Sequence, residues 1–367
     1  MPVLSRFRTA ASAGTFLVTA EVMPPKGSDT SHMLAMAEQL QPWVHAVNIT
    51  DGSRAVLRMS SLAAASLLLQ RGIEPVWQVA CRDRNRIALQ ADLMGAHALG
   101  IQNVLALTGD PVKAGDFPEA RSVFDWEAVR LLEAVKRLNQ GQDATDRPLE
   151  NSGTDLFVGA AVDPQCKSWS GVQRRFQRKL AAGAQFFQSQ LISDFDRLDQ
   201  FMTQVAAGCG KPILAGIFLL KSAKNAEFIN RNVPGVEIPQ HLIDRLARAQ
   251  DPLREGMAIA AEQVAMARQI CQGVHMMAVR REDLIPEILQ MAGLEPVTPP
   301  AQPIDSNGQS NGDAHSHPNN HSDSPLGSQS GSQSGSQPTD QITDQTTGQA
   351  TGNSSSPSLT STSFLHP

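Results

Sequence analysis

The stretch PVWQVACRDRNRIALQADLMGAHALGIQNVLALTGD, residues 75–110, decides the fold of this protein. It starts with an apolar run at 75–81, continues with apolar residues at helical spacing, and reaches a second apolar run at 103–108. Gly100 closes the helical part, where helices commonly end in a left-handed residue that glycine adopts without steric cost. The pattern predicts a strand, a helix and a second strand, which is the βαβ unit of a parallel sheet.

The same alternation covers most of the chain up to residue 296. Amphipathic stretches such as DWEAVRLLEAVKRLN separate six further apolar runs, at residues 16–23, 46–50, 156–162, 186–192, 212–219 and 274–279. Eight strands, each followed by a helix, predict an α/β protein with the (β/α)8 fold of a TIM barrel. A doubly wound sheet is the main alternative, but no GxGxxG follows the first strand and no Walker-type phosphate loop occurs.

Composition divides the chain into three parts. We expect an N-terminal arm over residues 1–14, the barrel over 15–296 and a disordered, low-complexity tail over 297–367. The tail is rich in Ser, Gly, Gln, Asn and Thr and contains GSQSGSQSGSQ, so it cannot bury enough apolar surface to offset the entropy of ordering. Its histidines are interpreted as solvated side chains, and no metal site is predicted.

The totals exclude several classes of protein. A formal net charge of −5 without a long basic run argues against a nucleic-acid partner. The four cysteines are scattered and form no CxxC pair, which indicates reduced thiols in a cytoplasmic protein. No apolar stretch approaches the ~20 residues of a membrane span, and the N-terminus lacks the apolar core of a secretory signal.

The motif TAEVMPP, residues 19–25, places the carboxylate of Glu21 near the end of the first predicted strand. Active sites of (β/α)8 barrels lie at the carboxyl ends of the strands. Burial of an unpaired carboxylate is costly, so Glu21 is expected either to pair with a neighbouring Arg or Lys or to take part in chemistry. Gln190 is a second polar residue inside a strand pattern.

Five motifs occur in order on the predicted strands and their surroundings: TAEVMPPKG, VNITDG, NVLALTGDP, KLAAGAQFFQSQ and ILAGI. Together, from residue 16 to residue 293, the chain resembles the methylenetetrahydrofolate reductases, a family of flavin-bearing (β/α)8 barrels. The resemblance implies that FAD passes a hydride to 5,10-methylenetetrahydrofolate and forms 5-methyltetrahydrofolate, which supplies methyl groups for methionine synthesis.

The resemblance also implies roles for single residues. Glu21 matches the family's general acid, which opens the imidazolidine ring to the iminium ion that accepts the hydride. Asp110 matches an aspartate that stabilises this cation and tunes the flavin, although an aspartate in Gly-Asp-Pro is also typical of a simple turn. Gln190 matches a glutamine that binds the pterin, and Asn225 and Arg281 match positions that reach the folate.

The cofactor residues implied by the resemblance lie on three of the predicted strands or follow them. They are Thr50, Gly109, Asp110, Val123, Phe124, Asp125, Gly159, Ala161 and Lys179. The alternative for Lys179 is an exposed helix lysine, which is the commonest state of that residue.

The chain departs from the best-known family pattern at several positions, among them Asp51, Gln78 and Thr108. These departures leave the electron donor open among NADH, NADPH, ferredoxin and a redox partner protein, and homo-oligomer formation is also open. Two alternatives to the reductase stand. One is a related barrel oxidoreductase that uses another C1 carrier or a deazaflavin, and the other is a non-catalytic subunit of a C1 complex. The joint presence of Glu21 and Asp110 with Gln190 disfavours the second.

Overall fold

A computed structural model describes residues 5–150, 152–233 and 235–297. In these ranges eight parallel strands close into a barrel in chain order, and β8 pairs with β1. The predicted (β/α)8 barrel is therefore confirmed. The strands are β1 Leu17–Val22, β2 Ala46–Ile49, β3 Pro75–Ala80, β4 Asn103–Leu107, β5 Phe157–Val162, β6 Phe186–Leu191, β7 Ile213–Phe218 and β8 Gly273–Met277.

Helices surround the barrel, and two additional ones, α8 and α9, lie between β7 and the long helix α10. The helices are α1 Arg6–Ser12, α2 Ser31–Leu40, α3 Ser61–Gln70, α4 Arg86–Ala98, α5 Ala128–Asn139, α6 Trp169–Ala181, α7 Phe195–Gln204, α8 Ala223–Asn232, α9 Gln240–Arg248, α10 Pro252–Ile270 and α11 Ile285–Met291. Local sequence sets several starts. Asn85 caps α4 by accepting hydrogen bonds from two backbone N–H groups, and Asp251 followed by Pro252 starts α10.

Helix α1 closes the N-terminal end of the barrel. Its Phe7 is fully buried, and the ring packs edge-on against Phe157 and Phe186 at centroid distances of 5.9 and 5.1 Å. The carboxylate of Glu74 accepts hydrogen bonds from the backbone N–H groups of Arg6 and Phe7, which holds the helix in place. Because this end is filled with apolar side chains, ligand access is from the carboxyl ends of the strands.

The predicted tail lies outside the described residues, apart from residue 297. In the described ranges, no helix is both long enough and apolar enough to cross a membrane.

Candidate active site

Glu21 lies one residue before the end of β1, and its side chain points into the barrel. Its Oε2 is 3.5 Å from Nε2 of Gln78 on β3 and 3.7 Å from Nε2 of His275 on β8. The contact with Gln78 crosses the barrel interior, because β1 and β3 are not neighbours. Within the described ranges, no Lys or Arg nitrogen comes within 4.0 Å of this carboxylate, so the alternative ion pair is absent there.

A layer of buried polar side chains lies one step deeper in the barrel than Glu21. Thr19, Asn48, Gln188 and His275 are each at most 4% exposed, and hydrogen bonds of 2.7–3.2 Å join them across β1, β2, β6 and β8. None of these four residues is among the site residues predicted from the sequence. Thr19 and Gln188 each stand two positions before a predicted site residue, a spacing that places both on the inner face of the strand.

The hydroxyl of Thr50, just beyond β2, is buried and without a partner. Thr50 is 2% exposed, and its Oγ1 is the single buried side-chain nitrogen or oxygen in the described part of the chain that makes no hydrogen bond. An unpaired buried hydroxyl costs free energy. A hydrogen-bonding group of a ligand would satisfy it.

Gly109 and Asp110 follow β4, where Gly109 packs against the end of β3 and Asp110 bonds to the loop after β2. Gly109 has a φ of +93°, and a Cβ there would lie 3.0 Å from Cβ of Arg82 and 3.1 Å from Cβ of Ala80, so the position requires glycine. The Asp110 carboxylate accepts a hydrogen bond of 2.7 Å from the backbone N–H of Arg54. Asp110 therefore joins two loops, which differs from the simple turn given as its alternative.

An open cleft of about 520 Å³ lies beside the end of β4. Its lining includes Gly109, Phe124 and Asp125 of the predicted cofactor residues, together with Thr108, Pro111, Trp126, Glu127 and Arg130. Phe124 is 37% exposed and has a positive φ of 40°, and the neighbouring Val123 is 44% exposed. Val123, Phe124 and Asp125, three of the predicted cofactor residues, thus lie in or beside one cleft.

Ion pairing holds the segment that carries Phe124. Asp125 accepts hydrogen bonds from the side chain and the backbone N–H of Arg86, and these lower the pKa of Asp125 to about 2. The backbone N–H of Val123 donates to the carbonyl of Arg82 at 2.7 Å. The loop after β4 is therefore tied to the loop after β3.

Lys179 is neither an exposed helix lysine nor free to move. Its ammonium donates to the carbonyl of Ala161 on β5 at 2.6 Å, and burial lowers its pKa to about 8. At Gly159, two residues earlier on β5, the space for a side chain is occupied by another residue of the barrel. A Cβ there would lie 2.4 Å from the ring of Phe186, so packing alone accounts for the glycine.

The predicted folate residues lie on β6 or follow β7 and β8. The side chain of Gln190 is exposed and makes no hydrogen bond to another described residue. Asn225 accepts from the backbone N–H of Lys221 at 3.1 Å, and Arg281 pairs with Asp283 at 3.1 Å. All three lie at the carboxyl end of the barrel.

The sequence CRDRN after β3 forms an internal network. Arg82 donates to the carbonyl of Gly52 and pairs with Asp83, while Arg84 pairs with Asp51 at 2.6 Å. Helix α4 follows directly, with Asn85 as its cap two residues after Asp83. These charges tie the loops after β2 and β3 together.

Comparison with known proteins identifies the family of this chain. The family model of methylenetetrahydrofolate reductase matches residues 6–293. The chain belongs to the methylenetetrahydrofolate reductase family. It is 25% identical over 246 residues to a probable methylenetetrahydrofolate reductase (NADPH) of Caenorhabditis elegans, covering 64% of this chain and 34% of the relative. It is 28% identical over 236 residues to methylenetetrahydrofolate reductase 1 of Schizosaccharomyces pombe, covering 60% and 36%. The chain thus aligns with only part of these relatives.

A solved structure shows the same fold. An uncharacterized protein from Clostridium thermocellum, described as binding two copies of 5-methyl-5,6,7,8-tetrahydrofolic acid, superposes with a TM-score of 0.55 at 14% identity. The match covers 78% of this chain and 97% of that protein. At this identity the likeness supports the barrel fold alone.

Departures from the methylenetetrahydrofolate reductase pattern lie within the site. Gln78 faces the Glu21 carboxylate, and the hydroxyl of Thr108 accepts from the backbone N–H of Ala128 at the start of α5. Asp51 accepts hydrogen bonds from Arg84 and from the backbone N–H of Ala80. Of these three residues, Thr108 lines the cleft beside β4.

Proposed function

We propose that this chain reduces 5,10-methylenetetrahydrofolate to 5-methyltetrahydrofolate with bound FAD and so supplies methyl groups for methionine synthesis. The observation that carries the proposal is Glu21, a carboxylic side chain directed into the mouth of the barrel without a Lys or Arg partner in the described ranges. Family membership supports the reaction type. The alternatives with another C1 carrier, a deazaflavin or a non-catalytic role are tested below.

The residues present fit a flavin. The unpaired hydroxyl of Thr50 offers a hydrogen bond, Gly109 lines the cleft beside Phe124, and this cleft has room for an extended group. Asp110, Val123, Asp125 and Ala161 border the same end of the barrel, and Lys179 places a cation next to β5. When bound, FAD would supply hydride transfer.

Glu21 would act on the folate itself. A proton moves from its carboxyl to a nitrogen of the methylene bridge, the carbon–nitrogen bond breaks with its electron pair on that nitrogen, and an iminium cation forms. The negative charge of Asp110 would stabilise this cation. The exposed amide of Gln190 offers a donor and an acceptor to the pterin edge, and Asn225 and Arg281 would contact the remainder of the folate.

NADH or NADPH is proposed as the electron donor. Ferredoxin or another redox partner protein is the alternative. Homo-oligomer formation and a cytoplasmic location stay predictions from the sequence.

The visible spectrum of the full-length protein tests the proposal, recorded before and after anaerobic addition of 5-methyltetrahydrofolate. We expect a yellow protein that this ligand bleaches, because the folate half-reaction runs backwards and reduces the flavin. Glu21→Gln should stay yellow, be reduced normally by dithionite and fail to bleach with the folate. A yellow wild-type protein that is not bleached would contradict the folate substrate. A protein that cannot be reconstituted with FAD would favour a deazaflavin or a non-catalytic role.

A further inference from the structure

The polar layer beneath Glu21 is a directed chain of hydrogen bonds. Asn48 Nδ2 donates to Gln188 Oε1 at 2.7 Å, and Gln188 Nε2 donates to Asn48 Oδ1 and to Thr19 Oγ1, both at 3.2 Å. An amide nitrogen has two hydrogens, so these contacts use both. The reciprocal pair holds the amides of Asn48 and Gln188 together, and in this arrangement Nε2 of Gln188 is the atom that faces Thr19.

The direction of this chain selects one tautomer of His275. Because Thr19 Oγ1 accepts from Gln188, its single hydrogen is available for His275 Nδ1, which lies 3.0 Å away. Nδ1 then accepts, and the proton of the neutral imidazole is on Nε2. Nε2 faces Oε2 of Glu21 at 3.7 Å, a distance that a small shift on ligand binding would shorten to a hydrogen bond.

Both nitrogen donors near Glu21 face the same oxygen. Gln78 Nε2 is 3.5 Å from Oε2, and His275 Nε2 is 3.7 Å from the same oxygen. An oxygen that faces two N–H groups is an acceptor, so the proton of the carboxylic acid belongs on the other oxygen, Oε1. This division distinguishes the two oxygens of one carboxyl group.

We propose that His275 is a positioning residue for Glu21. Held in its Nε2–H tautomer by Thr19, Gln188 and Asn48, it keeps Oε2 as the acceptor and leaves Oε1 to carry the proton that is delivered to the folate. This inference rests on the proposed folate reduction. It assigns a function to a layer of polar side chains that would otherwise be a costly part of the barrel interior.

Packing supports a functional interpretation of the layer. The inward-facing layer beneath it is apolar, with Leu17, Val76 and Phe186 among its members, so the barrel interior does not require polar side chains. His275 is 4% exposed and lies between this apolar layer and the mouth. Among the described residues, it is the one basic side chain within 4.0 Å of the Glu21 carboxylate.

Two matched pairs of variants test the proposal. Thr19→Val keeps the shape of the side chain and removes the hydroxyl, whereas Thr19→Ser keeps the hydroxyl. His275→Asn keeps an amide near the position of Nδ1 and loses the donor towards Glu21, whereas His275→Gln places an amide near the position of Nε2. His45→Asn is the control, because His45 is also buried and bonds to β1 through the backbone N–H of Val18.

The first measurement separates the acid-dependent step from flavin chemistry. Each full-length protein is reduced with dithionite and mixed anaerobically with 5,10-methylenetetrahydrofolate or with menadione, an acceptor that needs no general acid. We expect Thr19→Val and His275→Asn to slow reoxidation by the folate about tenfold, the effect of losing one oriented hydrogen bond. Thr19→Ser, His275→Gln and His45→Asn should retain most of the rate, and menadione should reoxidise all of them normally.

The second measurement needs no turnover. Nitrogen NMR of histidine-labelled protein without substrate should show His275 as the neutral Nε2–H tautomer, and Thr19→Val should abolish this preference while Thr19→Ser keeps it. An Nδ1–H tautomer in the wild type, or equal folate rates for Thr19→Val and Thr19→Ser, would overturn the inference. Wild-type reduced flavin that menadione reoxidises and the folate does not would instead overturn the proposed function.

Discussion

Replacing Thr50 by valine should stabilise the flavin-free protein and weaken flavin binding. Valine has nearly the shape of threonine and suits the end of a strand, and the change removes the unpaired hydroxyl. Leaving a buried polar group unsatisfied costs about 1–3 kcal/mol, so the free energy of unfolding should rise by about 1 kcal/mol or more. Losing one hydrogen bond to the flavin should cost about 0.5–1.5 kcal/mol, or about a two- to twelvefold increase in Kd.

Thr154 provides the matched control. It is also buried, but its hydroxyl donates to Oδ1 of Asn139 at 2.6 Å. Thr154→Val removes this hydrogen bond, so it should lower the free energy of unfolding by about 1 kcal/mol. It should leave flavin binding unchanged, because Thr154 lies before the start of β5, away from the mouth of the barrel.

Urea unfolding of the flavin-stripped variants measures stability, and quenching of flavin fluorescence on titration measures Kd. Opposite signs for Thr50→Val and Thr154→Val in the unfolding measurement would support the reasoning. A loss of stability in Thr50→Val similar to that in Thr154→Val would refute it, because the Thr50 hydroxyl would then be satisfied in the flavin-free protein.

Three further predictions concern the ends of the barrel. Phe7→Ala should lower the free energy of unfolding by about 3–5 kcal/mol, because it empties the aromatic plug under the barrel, and thermal unfolding checks this; folate KM should hardly change in the folded fraction. A side chain at position 109 is opposed by the φ of +93° and by contacts of 3.0–3.1 Å with the Cβ atoms of Arg82 and Ala80, so Gly109→Ala should lose flavin on gel filtration. Full flavin retention by this variant would contradict the requirement for glycine. Burial lowers the pKa of Lys179 from 10.5 to about 8, so between these pH values the unfolded chain binds more protons and wild-type stability should rise with pH. This rise should be absent from the curve of Lys179→Met and should remain in the difference between the wild-type and variant curves, measured by urea unfolding across that pH range.

Local patterns were sufficient to predict the strands. Seven of the eight predicted runs contain the observed strands, and the run 274–279 starts one residue after β8 begins, because apolar alternation and the glycines that end helices act over a few neighbours. The carboxyl-end location of Glu21 followed from strand order, because every strand of a (β/α)8 barrel has the same direction. The helix α1 that closes the barrel was not foreseen, since its single buried ring finds partners more than a hundred residues away in the chain.

The sequence by itself determined the barrel, the end at which its site lies, and the residue types found there. Only the tertiary structure decided which groups are partnered. Closure brings Gln78, 57 residues along the chain, and His275, 254 residues along it, to the carboxylate of Glu21, while Thr50 is left without a partner. Hydrogen bonds across a barrel depend on strand register and closure, and no local propensity encodes the identity of a partner on a distant strand.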